Sequence, residues 1–130
     1  MKKSPAFIIW LLFLFHNISA IPDESLWFKQ ISTKDGLSQN TVRDILIDQM
    51  GFIWAGTLDG LNRYDGSRFI IYKPKIGMQN SLSDHRVRSL FQDRNGMLWI
   101  RKYDNSYSCY DPSQERFIDL MYLIQNVTKN

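Results

Sequence analysis

Gly51-Phe52-Ile53-Trp54-Ala55-Gly56-Thr57-Leu58-Asp59-Gly60-Leu61-Asn62-Arg63-Tyr64 is the stretch on which the fold turns, because a degraded copy of it returns around Trp99. Sliding Leu37–Trp54 forward by 45 places lays it on Leu82–Trp99. Seven of 18 positions are then identical: Leu37/Leu82, Ser38/Ser83, Val42/Val87, Arg43/Arg88, Asp48/Asp93, Gly51/Gly96 and Trp54/Trp99. Ile45/Leu90, Leu46/Phe91, Phe52/Met97 and Ile53/Leu98 keep their apolar character. Farther on, Tyr64-Asp65 meets Tyr110-Asp111 at a spacing of 46, and Phe69-Ile70 meets Phe117-Ile118 at 48. The register slips only at turns, as a stacked repeat tolerates; a residue inserted within a strand would reverse every side chain after it.

Each copy reads as four short strands. In the first they are Val42–Ile47, Phe52–Gly56, Leu61–Tyr64 and Arg68–Tyr72, parted by Asp48-Gln49-Met50-Gly51, Leu58-Asp59-Gly60 and Asp65-Gly66-Ser67, turns rich in Asp and Gly. The second repeats the first turn at Asp93-Arg94-Asn95-Gly96 and predicts strands over Met97–Ile100, Tyr107–Tyr110 and Arg116–Leu120. Several strands are apolar on both faces, such as Ile45-Leu46-Ile47 and Phe69-Ile70-Ile71. Such sheets need cover on both sides, which neighbouring blades of a β-propeller supply. The fold class expected is all-β: two consecutive four-stranded antiparallel blades of an incomplete propeller. A further strand is expected over Leu26–Ile31, placed before Leu37-Ser38 as Phe69–Tyr72 is before Leu82-Ser83, where it would close a ring by pairing with a last blade.

The N-terminal segment is a separate object. Lys2 and Lys3 precede the apolar run Phe7–Phe15, and His16-Asn17-Ile18-Ser19-Ala20 ends on small residues, the layout of a cleaved secretory signal. The run is too short to cross about 30 Å of hydrocarbon unaided. The domain plan is therefore a signal helix over 1–20, a lead with the ring-closing strand over 21–35, blade 1 over 36–74, blade 2 over 75–120, and the start of another blade or a frayed tail over 121–130. Without Lys2 and Lys3 the charge falls from +3 to +1, 14 basic residues facing 13 acidic ones. No basic stripe interleaved with aromatics remains, so nucleic acid is excluded as a partner. Cys109 is the only cysteine and has no internal disulfide partner.

At these residues the chain resembles the two-component regulator propeller repeats, whose pattern runs roughly N-x-V-x-x-I-x-x-D-x-x-G-x-I/L-W-x-G-T-x-x-G-L-x-R-Y-D. Asn40, Val42, Ile45, Asp48, Gly51, Ile53, Trp54, Gly56, Thr57, Gly60, Leu61, Arg63, Tyr64 and Asp65 satisfy it without a gap. The second copy keeps Val87, Asp93, Gly96, Trp99, Tyr110 and Asp111. It puts His85 in place of Asn, Arg101-Lys102 in place of Gly56-Thr57, and Asn105 where Gly60 would stand.

The resemblance implies the exported, periplasmic sensor region of hybrid histidine kinases of Bacteroidetes, in which propellers precede a membrane helix and the kinase. On that reading this chain is the N-terminal fragment of a glycan-sensing propeller. Its partners are an oligosaccharide ligand and further blades or another protomer, and it meets the membrane only through downstream segments. The alternative is a free-standing secreted binding or scaffold protein that completes a ring by oligomerising.

The chemistry-bearing residues read mainly as structure. Trp54 and Trp99 offer flat rings suited to a pyranose face, yet their shared place among apolar strand residues marks them as packing between blades. Asp48 and Asp93 each open an Asp-x-x-Gly turn, where a carboxylate accepts local N–H groups, rather than forming an acid–base pair. His85 has no second histidine outside the signal. Arg101, Lys102 and Asp104 put charge where the repeat carries small residues and are the expected ligand or interdomain contacts. No catalytic constellation, metal set or cofactor loop is present in the sequence, so no enzyme activity and no cofactor are expected of this chain. Asn126-Val127-Thr128 fits a glycosylation acceptor.

Overall fold

Asp-Gly turns set between apolar runs build two meanders in sequence order. The computed structural model describes residues 26–78, 80–118, 120 and 124. β1 (Val42–Ile47), β2 (Ile53–Thr57), β3 (Gly60–Tyr64) and β4 (Phe69–Tyr72) form one antiparallel sheet; β5 (Val87–Gln92), β6 (Leu98–Lys102), β7 (Tyr107–Asp111) and β8 (Arg116–Ile118) form the other, each strand pairing with the next. The ladders obey the 45-residue shift: Asp44↔Gly56 and Ile45↔Ala55 in the first sheet answer Ser89↔Arg101 and Leu90↔Ile100 in the second. Both first strands carry an irregularity at the same place, between Val42 and Asp44 and between Val87 and Ser89. The repeat read from sequence is thus a repeat of backbone geometry.

Strand alternation sorts the side chains onto faces. Asp44, Leu46, Trp54, Gly56, Leu61, Arg63 and Tyr72 of blade 1 look toward blade 2, which answers with Val87, Leu90, Leu98, Ile100, Tyr110 and Phe117. The core lies in that seam. Trp54, Leu61, Leu82, Val87, Leu98, Ile100, Tyr110 and Phe117 are all buried there, with Leu46, Phe52, Tyr72 and Leu90 packed around them. Its centre is aromatic: the Trp54 ring lies 5.2 Å from Tyr110 and 5.8 Å from Tyr72, and the Tyr72 and Tyr110 hydroxyls are 3.1 Å apart. Burying such side chains contributes about 1.5–3 kcal/mol apiece, so the seam holds the two sheets together.

Leu37 and Leu82, the matching lead residues, are both buried. Ser38 and Ser83 behind them tie each lead into its own blade. Ser38 N–H donates to Asn62 Oδ1 at 2.9 Å, and the Ser38 and Thr57 hydroxyls are 2.9 Å apart. In blade 2, Lys102 Nζ donates to Ser83 Oγ, whose hydroxyl also meets that of Ser108 at 3.1 Å.

Two expectations need correcting. Leu26–Ile31 forms no strand, and Leu26, Trp27 and Phe28 are exposed. A strand exists only with a ladder partner, and none of the eight described strands has an edge bonded to it. The segment leads instead into a short 3₁₀ turn, Thr33–Asp35, capped by Ser32 and ended by Gly36 at φ 102°. The last strand stops at Ile118 instead of Leu120, and Leu120 and Ile124 are helical. The signal expected over 1–20, residues 121–123 of the tail and the Asn126-Val127-Thr128 acceptor lie outside the described residues.

Candidate functional site

The repeat motif resolves into three devices, of which the first is a clamp on each tryptophan. Asp48 Oδ1 accepts from the backbone N–H groups of Met50 and Phe52, each at 2.9 Å, and Oδ2 accepts from Trp54 Nε1 at 2.7 Å. Asp93 repeats this on Asn95 at 2.9 Å, Met97 at 3.0 Å and Trp99 Nε1 at 2.9 Å. One oxygen therefore makes the turn and the other fixes the indole. The bond from Trp99 is the chief reason the Asp93 carboxyl lies below its usual range. Turn roles for Asp48 and Asp93 stand as read from sequence; the indole contact was not foreseen.

The second device brings the blades together. At Gly56 an added Cβ would sit 2.4 Å from Val87 Cγ1, so the motif glycine is there to let the next blade approach. Polar bonds cross the same seam. Leu90 N–H donates to Asp44 Oδ2 at 2.7 Å, Gly60 N–H donates to the His85 carbonyl at 2.6 Å, and Arg63 reaches Glu115 at 3.4 Å while lying over the Phe52 and Trp54 rings. Arg43 lies 5.7 Å from the Tyr103 ring centre. Asn40 accepts from Thr33 N–H at 2.8 Å, Asp65 accepts from Ser67 and Arg68 N–H, and Asp111 does the same for Ser113 and Gln114. Gly51 and Gly96 complete their turns at φ 87° and 82°, conformations that favour glycine. Thr57 and Leu61 are fully buried, while Tyr64 donates to the Gly66 carbonyl at 2.7 Å.

The third device is the outer face of blade 2, where Trp99, matching Trp54, has no described sheet over it. A cavity of about 380 Å³ opens there, lined by Ser89, Leu90, Phe91, Trp99, Arg101 and Tyr107. Arg101 Nη2 donates to Asn105 Oδ1 at 2.9 Å, but its Nε is buried and has no hydrogen-bond partner among the described residues. The three charged residues expected to act together are split by the fold. Arg101 faces this cavity; Lys102 is buried on the opposite face against Ser83; Asp104 is spent on its own turn, accepting from Ser106 N–H and hydroxyl at 2.9 and 2.6 Å. Asn105 takes the place of Gly60 at φ 64°, a conformation asparagine tolerates.

The His85 ring lies 3.4 Å from the Asp84 carboxylate. Cys109 is buried, and burial pushes its thiol up to about 11, so it is held as the neutral thiol. Among the described residues no group of three His, Cys, Asp or Glu could hold a metal ion, and no helix is long and apolar enough to cross a membrane.

Comparison with known proteins finds this repeat elsewhere. The family described as two component regulator propeller matches residues 36–59 and 81–101, the leads and first hairpins of the two blades. Each blade thus carries one stretch similar to a regulator-propeller repeat. Histidine kinase P4 of Formosa agariphila is 43% identical over 74 residues, covering 56% of this chain; the chain spans 5% of that relative's length.

Two similar solved structures come from B. thetaiotaomicron. The extracellular domain assigned to a hybrid two-component system superposes with a TM-score of 0.64 at 28% identity, over 69% of this chain and 13% of that one. The extracellular domain assigned to a one-component system does so at 0.57 and 30%, over 71% and 13%. In both structures the matched part lies in an extracellular domain.

Proposed function

We propose that the chain supplies two blades of the periplasmic sensor propeller of a hybrid two-component histidine kinase, and that the signal is a glycan fragment. The observation that carries the reading is the seam itself: the residues that build it, Asp48, Trp54, Gly56 and Arg63, are those of the regulator-propeller repeat. Its likeness to a histidine kinase and to extracellular sensor domains supports the signalling role. The glycan part is what the resemblance to exported sensor propellers implies.

Two measurements test the reading. Genomic DNA downstream of Asn130 is expected to continue in frame into more repeats, a membrane helix and a kinase; a stop codon followed by unrelated genes would refute the parentage. Calorimetric titration of the whole sensor region with a panel of oligosaccharides is expected to give a binder. Silence across the panel would remove the glycan and leave the parentage standing.

A further inference from the structure

Each blade ties down its lead with three polar side chains in matching places, but the two knots differ in chemistry. By the ladders and the 45-residue shift, Ser38, Thr57 and Asn62 of blade 1 answer to Ser83, Lys102 and Ser108 of blade 2. In blade 1 every side-chain donor is spent. Thr57 gives its hydroxyl proton to the Gly60 carbonyl at 2.9 Å, so the Ser38 hydroxyl, 2.9 Å away, donates to Thr57; the Asn62 amide donates to Ser38 Oγ at 2.8 Å and to the Ala55 carbonyl at 3.1 Å. In blade 2 donors outnumber acceptors. The Ser83 and Ser108 hydroxyls carry a proton each, and their mutual bond at 3.1 Å uses only one of the pair; Lys102 Nζ is donor-only and places a single bond, on Ser83 Oγ. Lys102 is buried, and no described carboxylate lies in salt-bridge range of it. Asp104, the acid nearest in sequence, is spent on Ser106.

The surplus lies at the wall of a cavity of about 380 Å³ between the lead and blade 2. Ser83 and Ser108 line it beside Lys75, with Ile76, Leu82 and Ile118 supplying apolar surface, and Lys102 stands one hydrogen bond behind. We propose that this cavity binds a small organic carboxylate, its acid group accepting from the Ser83–Ser108 pair in front of Lys102 and its hydrocarbon part lying against the apolar wall. A carboxylate brings acceptors alone, which is what the knot lacks. It also brings the charge that a buried lysine held by one hydroxyl calls for, and hydrogen bonds to an ionised acceptor are the strong ones. The room comes from the same exchange that frees the donors: Ser108 is shorter than Asn62, whose carbonyl in blade 1 also holds the Ser38 N–H at 2.9 Å. The volume falls in the range of small-molecule sites, about 300–1,000 Å³. The inference rests on the blade 2 knot alone and does not depend on the signalling reading.

Hexanoate, an acid with a short apolar body, is the probe, and 1-hexanol is its uncharged control. Titration of the full chain with hexanoate, followed by NMR of the backbone amides, is expected to give saturable shifts at Ser83 and Ser108, with hexanol binding at least about tenfold more weakly. Lys102→Met keeps the aliphatic stem and removes the ammonium, and should weaken hexanoate by about tenfold or more. Hexanol binding as tightly as hexanoate, the absence of saturable shifts with hexanoate, or undiminished affinity in Lys102→Met would overturn the proposal. If Lys102→Met does not fold, Ser108→Asn decides the matter from the other side of the knot. It restores the blade 1 side chain and fills the space in front of Lys102, so hexanoate binding should be lost while the denaturation midpoint is kept, and parent-like binding would overturn the proposal.

Discussion

Asp48 accepts the Trp54 indole N–H at 2.7 Å while its other oxygen holds the Met50 and Phe52 amides, so one carboxylate couples the β1–β2 turn to the centre of the seam between blades. Asp48→Ala removes the acceptor for three donors and leaves a buried indole N–H unpaired, which should destabilise the chain by about 2–3 kcal/mol. Denaturation followed by tryptophan fluorescence would register it. A change below about 0.5 kcal/mol would show the clamp to be incidental.

The paired tryptophans make a sharper comparison. Trp54 is 1% exposed, sandwiched between Tyr72 and Tyr110, whereas Trp99 occupies the same register on a face that no described sheet covers. Trp54→Ala should cost about 3–5 kcal/mol, as large aromatic deletions in cores do. Trp99→Ala should cost less than half of that, because part of its ring already meets solvent. Equal losses in equilibrium denaturation would mean that the blade 2 face is covered in solution.

Gly56→Ala tests how closely the blades approach. A methyl group there would sit 2.4 Å from Val87 Cγ1, within a seam where both neighbours are fixed in strands, so overpacking of about 1–3 kcal/mol is expected. Val87→Ala opens the space, and the double variant should recover much of what Gly56→Ala loses. A double-mutant cycle measures that coupling, and additive losses would place the two residues apart in solution.

Much of this was legible in the residues. The paired Asp-x-x-Gly turns and tryptophans at a 45-residue interval reveal two blades because strand period and turn chemistry are local properties. The first strand matched its expected limits, Val42–Ile47, and other boundaries moved by one or two residues. Leu26–Ile31 misled because its apolar pattern says that it can pair but not that a partner exists. The Asp48–Trp54 bond spans six residues around a hairpin and needs the ladder register before it can be seen. Arg101 and Lys102 looked like one charged patch, yet adjacent strand residues point to opposite faces, and only the register told which of them entered the core.

Cys109 supplies a built-in reporter of opening. It is 1% exposed, and burial, with the charges of Asp93 and Asp111 adding to it, pushes its thiol up to about 11. At neutral pH the thiolate that reacts with disulfide reagents is therefore scarce, and the sulfur is covered. Labelling by an aromatic disulfide reagent should be slow in buffer and rise to the rate of a free thiol across the denaturation transition. Rapid labelling under native conditions would place Cys109 in an accessible strand.

Acid should weaken the fold through a set of turn carboxylates. Asp93 is held below the usual 3.8 chiefly by the Trp99 indole, Asp104 and Asp111 by the hydroxyls of Ser106 and Ser113, and Asp65 by the Arg68 amide. Each carboxyl binds its proton less readily folded than unfolded, so the stabilisation is fully present above 3.8 and is lost as pH falls through that value toward the lower folded pKa. Urea midpoints should be level from about pH 6 to pH 5 and drop steeply near about pH 3. Asp93→Asn takes one member out of the titration and should shallow the drop while lowering the neutral-pH midpoint, because the amide replaces a charged acceptor of the Trp99 N–H by a neutral one. An acid slope as steep in Asp93→Asn as in the parent would mean that the indole-bound carboxylate takes no part in the linkage.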